Sequence, residues 1–175
     1  MNKYLEQVKD FHEAFNHPVE ETIKEHDNKE VRELRLKLLY EEIEELSNAM
    51  GTDGTLHKLC KETLTKPINN ILYDKTETLD ALCDIQYVLS GAVLSLGYKN
   101  IFDDAFDEVQ RSNMSKMCST MAEVEDTMKY YKEERNETLN INVVHQGAMY
   151  IIQREDDKIL KNKYYSPADL EQFIK

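Results

Sequence analysis

The stretch "ETLDALCDIQYVL", residues 77 to 89, decides how this chain is read. It lies in one of the most apolar parts of the sequence, yet it carries three acids, Glu77, Asp80 and Asp84. A buried carboxylate is costly unless it is paired, hydrogen-bonded or bound to a metal. A helix advances about 100° per residue, so the three acids share a stripe roughly 60° wide. Gly91 and Ser95 continue that stripe, while Leu79, Leu82, Ile85, Val88, Leu89 and Val93 occupy much of the remaining circumference. A helix apolar nearly all round belongs inside a bundle or at an interface. Its acidic stripe therefore faces something polar within the assembly, or a water-filled cleft.

A second acidic stripe precedes it, in "RLKLLYEEIEELSNAM", residues 35 to 50. Leu36, Leu39, Ile43, Leu46 and Met50 form the apolar face of that helix, and Glu44 points away from it. Glu42 falls between Leu38 and Leu46, and Glu45 beside Leu38 and Ala49, so both flank the core-facing side. Glu41 sits one position further out on the same flank. Alone, EEIEEL reads as a solvated acidic face. Beside acids on the most apolar helix, the balance changes, because a salt-bridged role lacks counter-charges there: Lys75 is the nearest basic residue in sequence. Two acid pairs at i, i+3 on neighbouring antiparallel helices would bring four carboxylates together. They would raise one another's pKa unless a cation lay between them. Oxygen-only ligands without His or Cys suit Mg²⁺, with Mn²⁺ as a substitute. Di-iron carboxylate bundles need Glu-x-x-His pairs, and no histidine here has an acid three residues before it. No Walker-type loop, GxSxG elbow or dinucleotide fingerprint is present.

Composition agrees with a helical protein. The 175 residues are 41% hydrophobic, enough for one domain with a core, and hold only 5 Gly and 3 Pro. With 34 acids against 22 basic residues, the formal charge of -12 repels nucleic acid and anionic membrane. Cys60, Cys83 and Cys118 contain no CxxC pair, and reduced thiols in a cytoplasmic setting are the expectation. The amphipathic N-terminus lacks a signal-peptide core, and the longest mainly apolar run, Ile85 to Leu96, is too short to span a bilayer.

Apolar spacing predicts helices over residues 3–16, about 28–50, about 76–97 (capped by Thr76) and about 100–115. Residues 51–75, with Pro67 and Asn69-Asn70, form a looser connection. A polar helix over 120–135 is followed by three β-like pieces, INVVHQ, AMYIIQR and KILKN, with turns at Gly147 and Asp156-Asp157. Ser166-Pro167 opens a brief terminal helix, ADLEQFI. The expected architecture is mainly α: a four-helix core over 1–117 and a small C-terminal α+β appendage, 118–175, of the same domain.

Taken in order, these motifs resemble the all-α nucleoside triphosphate pyrophosphohydrolases, which include MazG, the dimeric dUTPases and the phosphoribosyl-ATP pyrophosphohydrolases. The likeness is closest to the MazG-like, phosphoribosyl-ATP-pyrophosphohydrolase-like branch. It rests on RLKLLYEEIEEL, ETLDALCDIQYV and EVQRSNMSK (108–116), with DFHEAFNHP and DDKILKNKYYSPADL at the two ends. The resemblance implies Mg²⁺-dependent cleavage of a nucleoside triphosphate, dUTP-like, dCTP-like or another member of the nucleotide pool, to monophosphate and pyrophosphate. It implies that Glu42, Glu45, Glu77 and Asp80 hold Mg²⁺ and that Glu41 activates or orients the attacking water. Asn113 and Lys116, with Arg111, would meet the phosphates or sugar. Asp84 would orient a ligand or touch the nucleotide, and Tyr87 would stack on base or ribose unless it packs in the core. Phe11 and Phe15 divide in the same way between base-pocket wall and core. A homodimer or larger homo-oligomer is also implied. Two other readings stand beside this one: phosphoribosyl-ATP hydrolysis, and a non-catalytic helical interaction module stabilised by metal.

Overall fold

The computed structural model describes residues 2–22, 29–51, 73–133, 141–146, 148–154 and 159–174. Among them are five α-helices: α1 (Lys3–Ala14), α2 (Lys29–Ala49), α3 (Lys75–Ser95), α4 (Phe102–Met114) and α5 (Met121–Glu133). An antiparallel hairpin of β1 (Ile141–Gln146) and β2 (Met149–Arg154) follows, then a 3₁₀ turn at Glu171–Phe173. The protein is mainly helical with a small C-terminal α+β part, as its sequence implies. The connection expected around Pro67 and the turns expected at Gly147 and Asp156-Asp157 lie outside the described residues. The chain forms two compact units, Thr22–Asp84 and a second made of Met1–Glu21 with Ile85–Lys175.

Helix ends follow local chemistry. Asn2 caps α1 by accepting from Leu5 N. Asn16 closes that helix with φ of 55°, so His17 N reaches His12 O at 2.7 Å. Asn is one of the few residues that tolerate this left-handed position. For α3 the cap is Asp74, not Thr76: one Asp74 carboxylate oxygen accepts from both Thr76 N (2.8 Å) and Glu77 N (3.1 Å). Asp is at least as good a cap as Thr, and the helix simply starts one residue earlier. Gly97, with φ of 83°, ends α3 in a Schellman motif in which Tyr98 N bonds Val93 O at 3.0 Å.

The core of the larger unit is assembled from sequence-distant pieces. Tyr4 meets Phe102 and Phe106 edge-on, and Gln7 and Lys3 both donate to Asp107 at 2.7 Å. Gln110 donates to Gln7 O, and Phe11 packs near Met114. The contacts advance together along both helices, so α1 and α4 run in the same direction. β2 lies between two apolar clusters. Ile151 joins Phe15 and Met117 on one side, and Ile152 joins Cys118, Val124, Tyr131 and Leu160 on the other. Alternation along a strand sends neighbouring side chains to opposite faces, and here both faces are covered. Val124, Thr127 and Tyr131 are the buried face of α5. That helix starts with Thr120 Oγ1 accepting from Glu123 N, while Glu123 reaches back to Ser119 N.

Two C-terminal expectations change. KILKN forms no strand among its described residues: Ile159 makes only an isolated bridge to Gln153, next to the bridge between Cys118 and Tyr150. β2 therefore shares its second edge between two segments, and neither gains a ladder long enough to count as a strand. The expected terminal helix is reduced to Glu171–Phe173. Ser166 does not cap it: the turn begins only at Glu171, and the residue before it is Leu170, with no side-chain cap. A helix that short is marginal without an apolar face to bury.

Candidate active site

The apolar residues of the two acidic helices are largely uncovered. Neither α2 nor α3 has a buried residue. Leu36, Ile43 and Leu46 on α2 and Met50 just after it are exposed, as are Leu79, Leu82, Val88 and Leu94 on α3. Tyr87 is 82% exposed, so core packing is not its role in a single chain. Within the Thr22–Asp84 unit, the Arg32 guanidinium lies 4.7 Å from the centre of the Tyr73 ring, tying the start of α2 to the residues before α3.

Glu41, Glu42, Glu45, Glu77, Asp80 and Asp84 are all exposed. Glu41 pairs with Lys37 at 3.7 Å, one helical turn back. An exposed i, i+4 pair of this kind is worth only about 0.3–0.5 kcal/mol, so it does not commit Glu41. Glu42, Glu45, Glu77, Asp80 and Asp84 make no ion pair among the described residues. This donor set, all carboxylate and lacking counter-charges, fits a hard divalent cation. Among the described residues, however, no group of three or more His, Cys, Asp or Glu is close enough to hold a metal ion. The structure thus presents the two stripes on α2 and α3 without joining them into a coordination shell.

The other predicted residues lie in the larger unit, at the end of α4. Asn113 Oδ1 accepts from Lys116 Nζ at 2.8 Å, and this ammonium lies 5.5 Å from the centre of the Phe11 ring. Burial, and the like charge of Lys161, push the Lys116 ammonium below its ordinary pKa. Phe15, at 2% exposure, belongs to the core, whereas Phe11 is only partly buried beside Lys116. Arg111 is occupied elsewhere. Its Nε and one terminal nitrogen bridge both oxygens of Glu108 at 2.7 Å, and the same terminal nitrogen donates to Pro167 O at 3.0 Å. With Asp169 N donating as well, the Glu108 carboxyl is held down to about 2. Arg111 and Glu108 therefore clamp the C-terminal segment to α4. Sequence reasoning gave no role to Lys161, Asn162 or Tyr165. Their signal was present in LKNKYYSP, where two lysines flank an Asn beside paired tyrosines.

The family model for phosphoribosyl-ATP pyrophosphohydrolase matches residues 8–113, and the chain belongs to that family. The chain is also similar to an uncharacterized protein of Acanthamoeba polyphaga mimivirus, 36% identical over 67 residues. That alignment covers 36% of this chain and 27% of the viral protein, so the chain spans about a quarter of that relative's length. No solved structure matches. Among the described residues, no helix is long and apolar enough to cross a membrane.

Proposed function

We propose that this protein is a Mg²⁺-dependent pyrophosphohydrolase that cleaves a nucleoside triphosphate between its α and β phosphates. One observation carries this reading. The family match over residues 8–113 spans both acidic helices, whose Glu42, Glu45, Glu77, Asp80 and Asp84 lack ion-pair partners among the described residues. Glu42, Glu45, Glu77 and Asp80 would hold the cation. When bound, it offsets phosphate charge and lowers the pKa of a coordinated water. Glu41 takes the proton of the attacking water, whose oxygen bonds to the α phosphorus. The bond from that phosphorus to the α–β bridging oxygen then breaks, and pyrophosphate leaves with the electron pair. Asn113 and Lys116 bind phosphate oxygens, Asp84 orients the bound groups, and the exposed Tyr87 ring is free to stack on base or ribose.

The description of the matching family favours a second substrate, phosphoribosyl-ATP, which presents the same anhydride. The test is to incubate the protein and Mg²⁺ with each common NTP and dNTP, dUTP and dCTP included, and with phosphoribosyl-ATP. Products are then resolved by ion-exchange chromatography. Monophosphate and pyrophosphate from a subset of (d)NTPs is the expected result; cleavage of phosphoribosyl-ATP alone selects the second substrate. No turnover in Mg²⁺ or Mn²⁺, together with a melting temperature that falls on adding EDTA, would leave only a metal-stabilised helical module.

The same reading includes a second copy of the chain. The exposed apolar residues of α3 run its whole length, with Val88 at 70% exposure, and a contiguous apolar face of this kind marks an interaction surface. A copy of the same face is its natural cover. Sedimentation at micromolar concentration is expected to give a dimer or larger assembly, and a monomer there would sink the idea.

A further inference from the structure

The C-terminal segment, beyond the matched residues 8–113, carries a second feature of its own. Asn162 N donates to Lys116 O at 3.2 Å, which lays the backbone of residues 161–162 beside the end of α4. Lys161 Nζ sits 4.4 Å from the centre of the Tyr165 ring, and Tyr165 OH is 3.0 Å from Ser112 Oγ on α4. The charge of Lys161 reaches Lys116, where it adds to burial in disfavouring the Lys116 ammonium. Among the described residues neither is paired with a carboxylate, in a chain with 34 acids and 22 basic residues. Other lysines here have acid partners: Lys3 with Asp107, Lys9 with Glu13, Lys37 with Glu41 and Lys129 with Glu133. Two ammonium groups on neighbouring backbone segments, one of them half-buried, held by an aromatic ring and an amide and without a carboxylate partner among the described residues, suit an anion.

We propose that Lys161 and Tyr165 complete, with Lys116 and Asn113, a cradle for the polyphosphate end of the substrate. Lys161 donates to a phosphoryl oxygen beside Lys116. Tyr165 is a positioning residue: its ring holds the Lys161 ammonium by a cation–π contact, and its hydroxyl is fixed by Ser112. Both residues lie beyond the matched residues 8–113, so the cradle is a contribution of the C-terminal segment to binding. The proposal rests on the hydrolase reading for the identity of its ligand, but the anion site can be tested without turnover.

The probe is inorganic pyrophosphate, titrated calorimetrically into the full chain in EDTA, with no nucleotide or metal. Lys161→Met is expected to weaken pyrophosphate binding about tenfold, while Lys161→Arg stays within about twofold. Tyr165→Phe, which keeps the ring, is expected to bind nearly as the parent does, and Tyr165→Leu more weakly. Lys161 is exposed, so loss of its ammonium leaves the core intact, and unchanged melting curves would verify this. Pyrophosphate binding that is absent, or that ignores Lys161→Met, overturns the cradle even if nucleotides are hydrolysed. Binding that depends on Lys161, in a protein that hydrolyses no nucleotide, supports the cradle and removes the hydrolase reading instead.

Discussion

Glu42→Gln is expected to lower kcat by roughly three orders of magnitude while leaving the melting curve where it was. The two halves of that result have separate causes. Gln has nearly the shape of Glu, and Glu42 is exposed on a helix with no buried residue, so the fold does not depend on it. The amide, however, is a neutral and poorer ligand for a hard cation, so a site built from carboxylates loses both a ligand and a charge. Glu44→Gln is the matching control: that residue points away from the flank shared by Glu41, Glu42 and Glu45, and its variant is expected to keep turnover within about twofold. The measurement is monophosphate and pyrophosphate release by ion-exchange chromatography, beside a thermal melt of each variant. Parental turnover in Glu42→Gln would remove this residue from the metal site. An equal loss in Glu44→Gln would show that bulk negative charge on α2, and not a particular ligand, is what matters.

What the sequence made legible was the local chemistry. The end of α1 before Pro18, the stop of α3 at Gly97 and the apolar circumference of α3 all depend on residues within a turn or two of one another. The acidic stripes on α2 and α3 were equally readable, because Glu and Asp at helical spacing define their own stripe. Contacts between distant segments were not readable. Nothing local says that Cys118 and Ile159 share one edge of β2, which is why KILKN looked like a strand of its own. Arg111 looked like a free cation at a helix end, and only the structure shows it spent on Glu108 and Pro167. Lys161 gained a role only when Asn162 was found beside Lys116. The apolar circumference of α3 was legible, but periodicity carries no information about what would cover it.

Asn162→Leu is expected to cost about 3–4 kcal/mol of stability. Asn162 is buried, and its side chain uses both ends. Its Nδ2 donates to Met117 O at 2.8 Å and Glu123 Oε2 at 3.2 Å, while Oδ1 accepts from Thr127 Oγ1 at 3.2 Å and Tyr164 N at 3.0 Å. Leucine has the same number of side-chain heavy atoms, branched at the same carbon, so no cavity opens. What it removes is the partner of several polar groups in a low-dielectric interior, and each orphaned group costs about 1–3 kcal/mol before relaxation. For a domain of this size the melting temperature should fall by roughly 6–16 °C. Thr127→Val is a graded comparison. It breaks the bonds to Asn162 Oδ1 and from Lys163 N but leaves Met117, Glu123 and Tyr164 satisfied, so its loss should be about half as large. If Asn162→Leu melted within about two degrees of the parent, the C-terminal segment would be held by Leu160 and the Arg111–Glu108 clamp instead. The cradle would then owe its geometry to those contacts. If the large loss is found, the amide that stabilises the segment is also what sets Lys161 beside Lys116. Pyrophosphate binding should then weaken in Asn162→Leu under conditions where the variant is still folded.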